Sequence, residues 1–180
     1  MSVIIINPNS TVSMTEAMLA QARRAAPSQS FEGWTSHDGP PAIQGEKDGE
    51  TAAEPLLKLV EKASKSGADG IIIGCFDDTA LDEAAAISDC PVIGIGQASF
   101  HYAALRKKRF SVVTTMSVSV PIIEHNIRSM GLTKYVSKVR ASEVPVLELE
   151  SDPKKASEII KLEALRAQNL DEISTIILGC

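Results

Sequence analysis

One short pattern occurs twice in this sequence, far apart. Ala68-Asp69-Gly70-Ile71-Ile72-Ile73-Gly74-Cys75 is echoed by Ile173-Ser174-Thr175-Ile176-Ile177-Leu178-Gly179-Cys180, with the two cysteines 105 residues apart and a helical pattern before each. An internal repeat constrains topology strongly, because each copy must fold as the same supersecondary unit. At the same offset upstream, Asn9-Ser10-Thr11-Val12-Ser13 falls on Thr114-Thr115-Met116-Ser117-Val118, and each segment follows a β-like run and leads into a helix. The expectation is two related α/β lobes related by a pseudo-twofold axis, residues 1–97 carrying Cys75 and residues 98–180 carrying Cys180.

Between the repeats, short apolar runs alternate with helical patterns, the signature of parallel sheets flanked by helices. Strands are predicted near 2–7, 30–36, 69–74, 91–96, 109–115, 135–141 and 173–178, and helices near 11–26, 48–66, 78–88, 97–107, 119–130 and 153–169. The first, third, fifth and last strands are rich in Ile and Val and nearly continuous in apolar character, as expected where both faces are covered. With 180 residues, 44% of them hydrophobic, the chain can bury a sizeable core. No apolar run approaches the roughly 18 residues that cross a bilayer. The opening Met-Ser-Val-Ile-Ile-Ile reads as a strand and not as a signal peptide, so a cytoplasmic location is expected, with no membrane partner. A net charge of -5 argues against nucleic acid, and the one basic cluster, Arg106-Lys107-Lys108-Arg109, reads as a helix C-terminus.

The chemistry centres on thiols. Three cysteines at wide spacing make neither a disulfide framework nor a paired zinc site. Cys90, outside the repeat, reads as structural. Cys75 and Cys180 fall just past the carboxyl ends of two strands, where α/β sheets bind ligands. Gly74 and Gly179 before them would allow a sharp turn and close approach to a ligand. A helix read through Asp77-Asp78-Thr79-Ala80-Leu81-Asp82-Glu83 would place Cys75 at a positive dipole end and lower its pKa. Each cysteine taken alone reads first as a small buried hydrophobe; the repetition reverses that and favours chemistry. Two thiols on opposite faces of a substrate suit inversion of a stereocentre next to a carbonyl: one thiolate removes the α-proton and the other thiol returns one. Backbone N–H groups after Cys75 and the hydroxyls of Ser10, Thr114 and Thr115 are candidate donors to the enolate, with helix capping as their bland alternative.

The segments Asn7-Pro8-Asn9-Ser10-Thr11, Gly74-Cys75-Phe76-Asp77-Asp78, Pro91-Val92-Ile93-Gly94-Ile95-Gly96 and Leu178-Gly179-Cys180 together resemble the aspartate/glutamate/hydantoin racemase superfamily, and most closely its hydantoin and allantoin racemase branch. The resemblance covers essentially the whole chain. It implies a site between two similar lobes, a two-base mechanism with Cys75 and Cys180 as catalytic residues, no cofactor, and a homo-oligomer. It also implies substrate contacts from Asn9, Ser10, Phe76, Asp77, Thr114 and Thr115, with Gly39 through Ile43 as a pocket wall. Family members are expected to continue past the second cysteine, whereas this sequence stops at Cys180, so the second lobe is expected to be truncated.

Other signals are weaker. Gly94-Ile95-Gly96-Gln97-Ala98-Ser99 has a serine at the third glycine position of a dinucleotide fingerprint, so NAD binding is rejected. His37, His101 and His125 lack metal-ligand spacing, and Asp77-Asp78 reads as a helix cap, so no metal is expected. No Arg or Lys stands at the repeated strand ends to clamp a distal carboxylate, which favours a neutral hydantoin or allantoin ring over aspartate or glutamate. Malonate decarboxylation and maleate-type isomerisation on the same scaffold are the rival reactions, and a small-molecule binding module with packed cysteines is the rival class.

Overall fold

A computed structural model describes residues 2–179. The chain divides into two compact units, one of residues 1–43 and 47–95, the other of residues 44–46 and 96–180. No helix among the described residues is long and apolar enough to cross a membrane.

In the first unit, β1 (Val3–Asn7), α1 (Val12–Ala25), β2 (Phe31–Thr35), α2 (Glu46–Lys65), β3 (Gly70–Ile73), α3 (Leu81–Ile87) and β4 (Val92–Gly94) follow in order. The four strands form a parallel sheet in the order β2-β1-β3-β4. Ile4, Ile5 and Ile6 of β1 are all buried, because a central parallel strand is covered on both faces. On α2 the buried positions are Ala52, Leu56, Val60 and Ala63, one stripe at helical spacing. That stripe packs with Ile4, Ile6, Ile71 and Ile73 in one apolar cluster, and the same cluster includes Cys75 and Ile43.

The second unit contains α4 (Ile95–Leu105, whose first residue belongs to the first unit), β5 (Phe110–Thr114), α5 (Val120–Ser129), β6 (Val136–Ala141), the short α6 (Glu148–Ser151), α7 (Pro153–Leu170) and β7 (Thr175–Leu178). Its parallel sheet runs β6-β5-β7. Every residue of β5 is buried, and Phe110 stacks on Phe100 of α4 with ring centroids 6.2 Å apart. Asp152 caps α7 by accepting from the Lys155 N–H, with Pro153 in the first turn.

The predicted elements are present, with two shifts. The strand expected to reach residue 96 ends at Gly94, and α4 begins at once at Ile95. The helix expected from residue 78 begins only at Leu81, because Asp78 and Ala80 both adopt left-handed backbone, with φ of 51° and 48°.

The two sheets share a topology: β2-β1-β3 corresponds to β6-β5-β7. Their hydrogen bonds fix the correspondence residue by residue. Gly74 N–H donates to Ile6 O at 2.8 Å, and Gly179 N–H donates to Val113 O at 3.0 Å; Ser36 N–H donates to Asn7 O and Ser142 N–H to Thr114 O, both at 2.9 Å. The β3/β7 pair keeps the 105-residue offset of the sequence pattern, whereas β1 and β5 correspond as Ile6 to Val113, two residues further. Thr114 is therefore the counterpart of Asn7 and not of Asn9. Length differences collect in connections, since a slip inside a buried strand would turn its apolar face outward.

The second unit also holds a half-buried ion network. Arg140 on β6 donates through Nε to Asp171 Oδ2 at 2.7 Å and through a second nitrogen to Asp171 Oδ1, and it reaches Glu163 Oε1 on α7 at 3.0 Å. Ser111 Oγ of β5 also donates to Asp171 at 2.8 Å. These bonds, Arg140 foremost, hold the Asp171 carboxyl below its usual range against the opposing cost of its burial. Replacing Arg140 by alanine leaves the buried Asp171 carboxylate without its cation, while Glu163 keeps Arg166, and a loss of about 3 kcal/mol is expected in chemical unfolding. Because the folded-state pKa of Asp171 is depressed, its stabilisation is present above the unfolded value of about 3.9 and is lost as pH falls below it. Unfolding midpoints followed downward from pH 7 should fall less steeply below pH 4 in Asp171→Asn than in the parent.

Candidate active site

At the carboxyl edge of the first sheet, three loops meet. The loop after β1 is organised by Asn7, which is fully buried. Its Nδ2 donates to Asn9 Oδ1 at 2.9 Å, to Thr11 O at 3.1 Å and to Thr15 Oγ1 at 3.1 Å, while its Oδ1 accepts from the Asn9 N–H. Asn9 Oδ1 also accepts from the Thr11 N–H at 2.9 Å, and Asn9 Nδ2 lies 3.4 Å from Met14 Sδ. The carboxamide oxygen of Asn9 is thus engaged in folding its own loop. Asn7 was outside the sequence-predicted set; a polar residue closing an otherwise Val and Ile strand is the signal that marks it.

The loop after β2 lies against this one. Ser10 N–H donates to Pro40 O at 2.9 Å and Thr11 Oγ1 to Pro41 O at 2.6 Å. Gly39 is required where it stands: a Cβ there would lie 2.4 Å from Pro8 O and 3.1 Å from Ser36 O, both backbone atoms. The loop ends at Ile43, buried in the same cluster as Cys75.

The third loop carries Cys75, two residues past β3 and 8% exposed. Gly74 before it does not use the left-handed backbone open to glycine. Its missing side chain matters differently: a Cβ would meet Met18 Sδ at 2.4 Å, so glycine lets α1 approach β3. Asp78 N–H donates to Cys75 O at 3.1 Å, closing a turn directly after the cysteine. The left-handed Asp78 and Ala80 then bring Thr79 back over the sulfur, and Thr79 Oγ1 donates to Cys75 Sγ at 3.3 Å. Backbone N–H groups of Asp77 and Thr79 donate to the same sulfur. These N–H groups, expected from the sequence to face a substrate oxygen, are aimed at the thiol.

The charge state of Cys75 follows from this environment. Burial, and then the nearby Asp77 carboxylate, push the thiol up to about 12, against the lowering effect of Thr79 and the two N–H donors. The expectation of a lowered pKa is therefore corrected. It assumed a helix N-terminus at the cysteine, and α3 starts six residues later.

Phe76 and Asp77 are buried beside Cys75 in sequence, at 3% and 9% exposure. Thus Asn9, Ser10, Ile43, Cys75, Phe76 and Asp77 share the loops at one sheet edge. Thr114 and Thr115 lie at the carboxyl edge of the other sheet, in the second unit, both buried; Ser142 Oγ donates to their carbonyls at 3.2 and 3.4 Å. There Val113, Thr114, Thr115, Ile160, Leu178 and Gly179 line a small cleft of about 140 Å³. Cys180 lies outside the described residues.

A family model described as Asp/Glu/Hydantoin racemase matches residues 3–180. A hydantoin racemase of Rhizobium meliloti is 37% identical over 181 residues, covering 100% of this chain and 75% of that one. Among solved structures, an allantoin racemase from Klebsiella pneumoniae matches with a TM-score of 0.94 at 33% identity, over 99% of this chain and 73% of that one. The allantoin racemase of Pseudomonas fluorescens matches with a TM-score of 0.93 at 32% identity, over 100% and 77%. The chain belongs to the Asp/Glu/hydantoin racemase family, in its hydantoin and allantoin racemase branch, and is a racemase of that family.

Proposed function

We propose that the protein inverts the stereocentre of a hydantoin or of allantoin without a cofactor, passing a proton between Cys75 and Cys180. One observation carries the reading: the glycine before each cysteine donates the equivalent hydrogen bond to the equivalent residue of the central strand, Gly74 to Ile6 and Gly179 to Val113. The repeated strand-Gly element therefore enters both sheets at the same place. Relatives of 37% and 33% identity that carry the names hydantoin racemase and allantoin racemase support the substrate class.

In the proposed reaction, one thiolate takes the α-proton, the electron pair passes to the neighbouring carbonyl as an enolate, and the other thiol gives its proton to the opposite face. The pair ends with its charge exchanged. Burial and Asp77 keep Cys75 protonated at neutral pH, which suits it to the donor role when the free protein first meets substrate. Ser10, Ile43, Phe76, Asp77, Thr114 and Thr115 are proposed substrate contacts, and Asn9 contributes through the loop it folds. The loops after β1, β3 and β5 carry no Arg or Lys before the next helix begins, so these three loops offer no cation to a second carboxylate and a neutral ring is favoured.

Serine in place of either cysteine removes the base from one face. Racemisation should fall by about 10²- to 10⁴-fold in Cys75→Ser and in Cys180→Ser, the usual range for a lost general acid or base. Each mutant should still exchange the α-proton of one enantiomer, with opposite preference in the two. Deuterium uptake by separate D and L 5-substituted hydantoins measures this; near-parental racemisation by either mutant, or the same preferred hand in both, overturns the mechanism. The substrate assignment is checked separately, by polarimetry with 5-substituted hydantoins and allantoin beside aspartate and glutamate. Loss of optical rotation is expected with the ring compounds and not with the amino acids.

A further inference from the structure

The sulfur of Cys75 meets an unusual local arrangement. The apolar cluster it belongs to, with Ile6, Ile43, Ile73 and Leu81 among its members, offers nothing to a negative charge. The hydrogen-bond donors to it among the described residues lie within the next four residues. Two consecutive odd positions of that segment, Asp77 and Thr79, aim their N–H groups at the sulfur, and Thr79 adds its hydroxyl. Thr79 is 8% exposed and is held between two residues in left-handed backbone, Asp78 and Ala80, neither of them glycine. Such a conformation costs about 1 kcal/mol or more per residue and persists only where the surroundings enforce it. The Asp78 side chain is closely seated here: its Oδ1 lies 2.0 Å from the place a Cβ on residue 94 would take, in room that glycine leaves.

We propose that Thr79 is a positioning residue for Cys75, its hydroxyl and N–H joining the Asp77 N–H in a three-donor cradle that holds the sulfur and stabilises its thiolate during turnover. The role rests on the reading that Cys75 carries the proton. A neutral thiol is a weak acceptor, so the O–H to sulfur contact has little strength at rest. Once the sulfur is charged, the same contact becomes a charge-assisted hydrogen bond, roughly twice as strong as a neutral one. The donors therefore act in the state that must abstract a proton. Asp77 opposes them as the one side chain whose charge raises the Cys75 pKa, while the Asp78 carboxylate is turned to Gly94. The packed members of the apolar cluster carry no charge.

The test compares Thr79→Val, which keeps the shape and removes the hydroxyl, with Thr79→Ser, which keeps the hydroxyl. The first readout is the rate at which iodoacetamide alkylates Cys75 between pH 7 and 10, followed by peptide mass spectrometry, with Cys90 in the same chain as the reference thiol. Alkylation tracks the thiolate fraction. Thr79→Val should react about tenfold more slowly at each pH, equivalent to a rise of about one unit in the thiol pKa. Thr79→Ser should stay near the parent, and Cys90 should be unchanged in both as a sign of an intact fold. The second readout is the pH profile of hydantoin α-proton exchange, whose alkaline limb should move up by the same unit in Thr79→Val. Parental alkylation of Cys75 in Thr79→Val, or equal slowing in both variants, overturns the proposal. The alkylation result stands whether or not Cys75 is catalytic, and Cys75→Ser, assayed beside these variants, decides that second question on its own.

Discussion

The position of the thiol depends on one hydrogen bond, from the Gly74 N–H to the Ile6 carbonyl. It is the last rung of the ladder between β3 and β1, and it fixes where the chain leaves the sheet. One residue later comes Cys75, whose direction is set by that rung and by the turn that Asp78 closes. Beside the rung, the flexible end of Met18 from α1 rests in the space that the absent side chain of Gly74 leaves. Helix packing, strand pairing and thiol placement thus meet at this one residue. The second sheet repeats the rung between Gly179 and Val113.

The environment of Cys75 places two physical tendencies against each other. Burial in an apolar cluster gives a firmly held sulfur and disfavours its charge, and the neighbouring Asp77 acts in the same sense. Local donors act the other way without giving up the packing. A thiol so placed stays protonated through ordinary changes of neutral pH, and its reactivity is governed by what binds beside it. That is a different design from a thiol lowered by a helix N-terminus, which would be ionised and open to any electrophile.

Much of this was legible in the sequence. Continuous Ile and Val runs marked the central strands because both faces of β1, β3 and β5 are covered, and the repeated Gly-Cys marked corresponding edges of the two sheets. What escaped the sequence lay in the connections. The offset that matches β3 to β7 does not match β1 to β5, because loops absorb length differences while ladders do not, so Thr114 was set against Asn9 when its counterpart is Asn7. The helix expected to start beside Cys75 is displaced by the left-handed Asp78 and Ala80. Neither residue type announces that backbone. The hydroxyl of Thr79 was invisible for the same reason: only the turn carries it back to the sulfur.

The contact between Asp78 and Gly94 also bears on how such a sequence can change over time. The carboxylate occupies the volume that any larger residue at 94 would claim, and its placement keeps the turn after Cys75 folded back. Residue 94 is therefore not free to gain a side chain while 78 keeps its carboxylate in that place. A methyl group gained at 94 is acceptable only in a background where 78 has already become smaller, and the order of the two changes decides whether the intermediate sequence still holds its thiol in place. Sixteen positions apart along the chain, the two sites behave as a single heritable character.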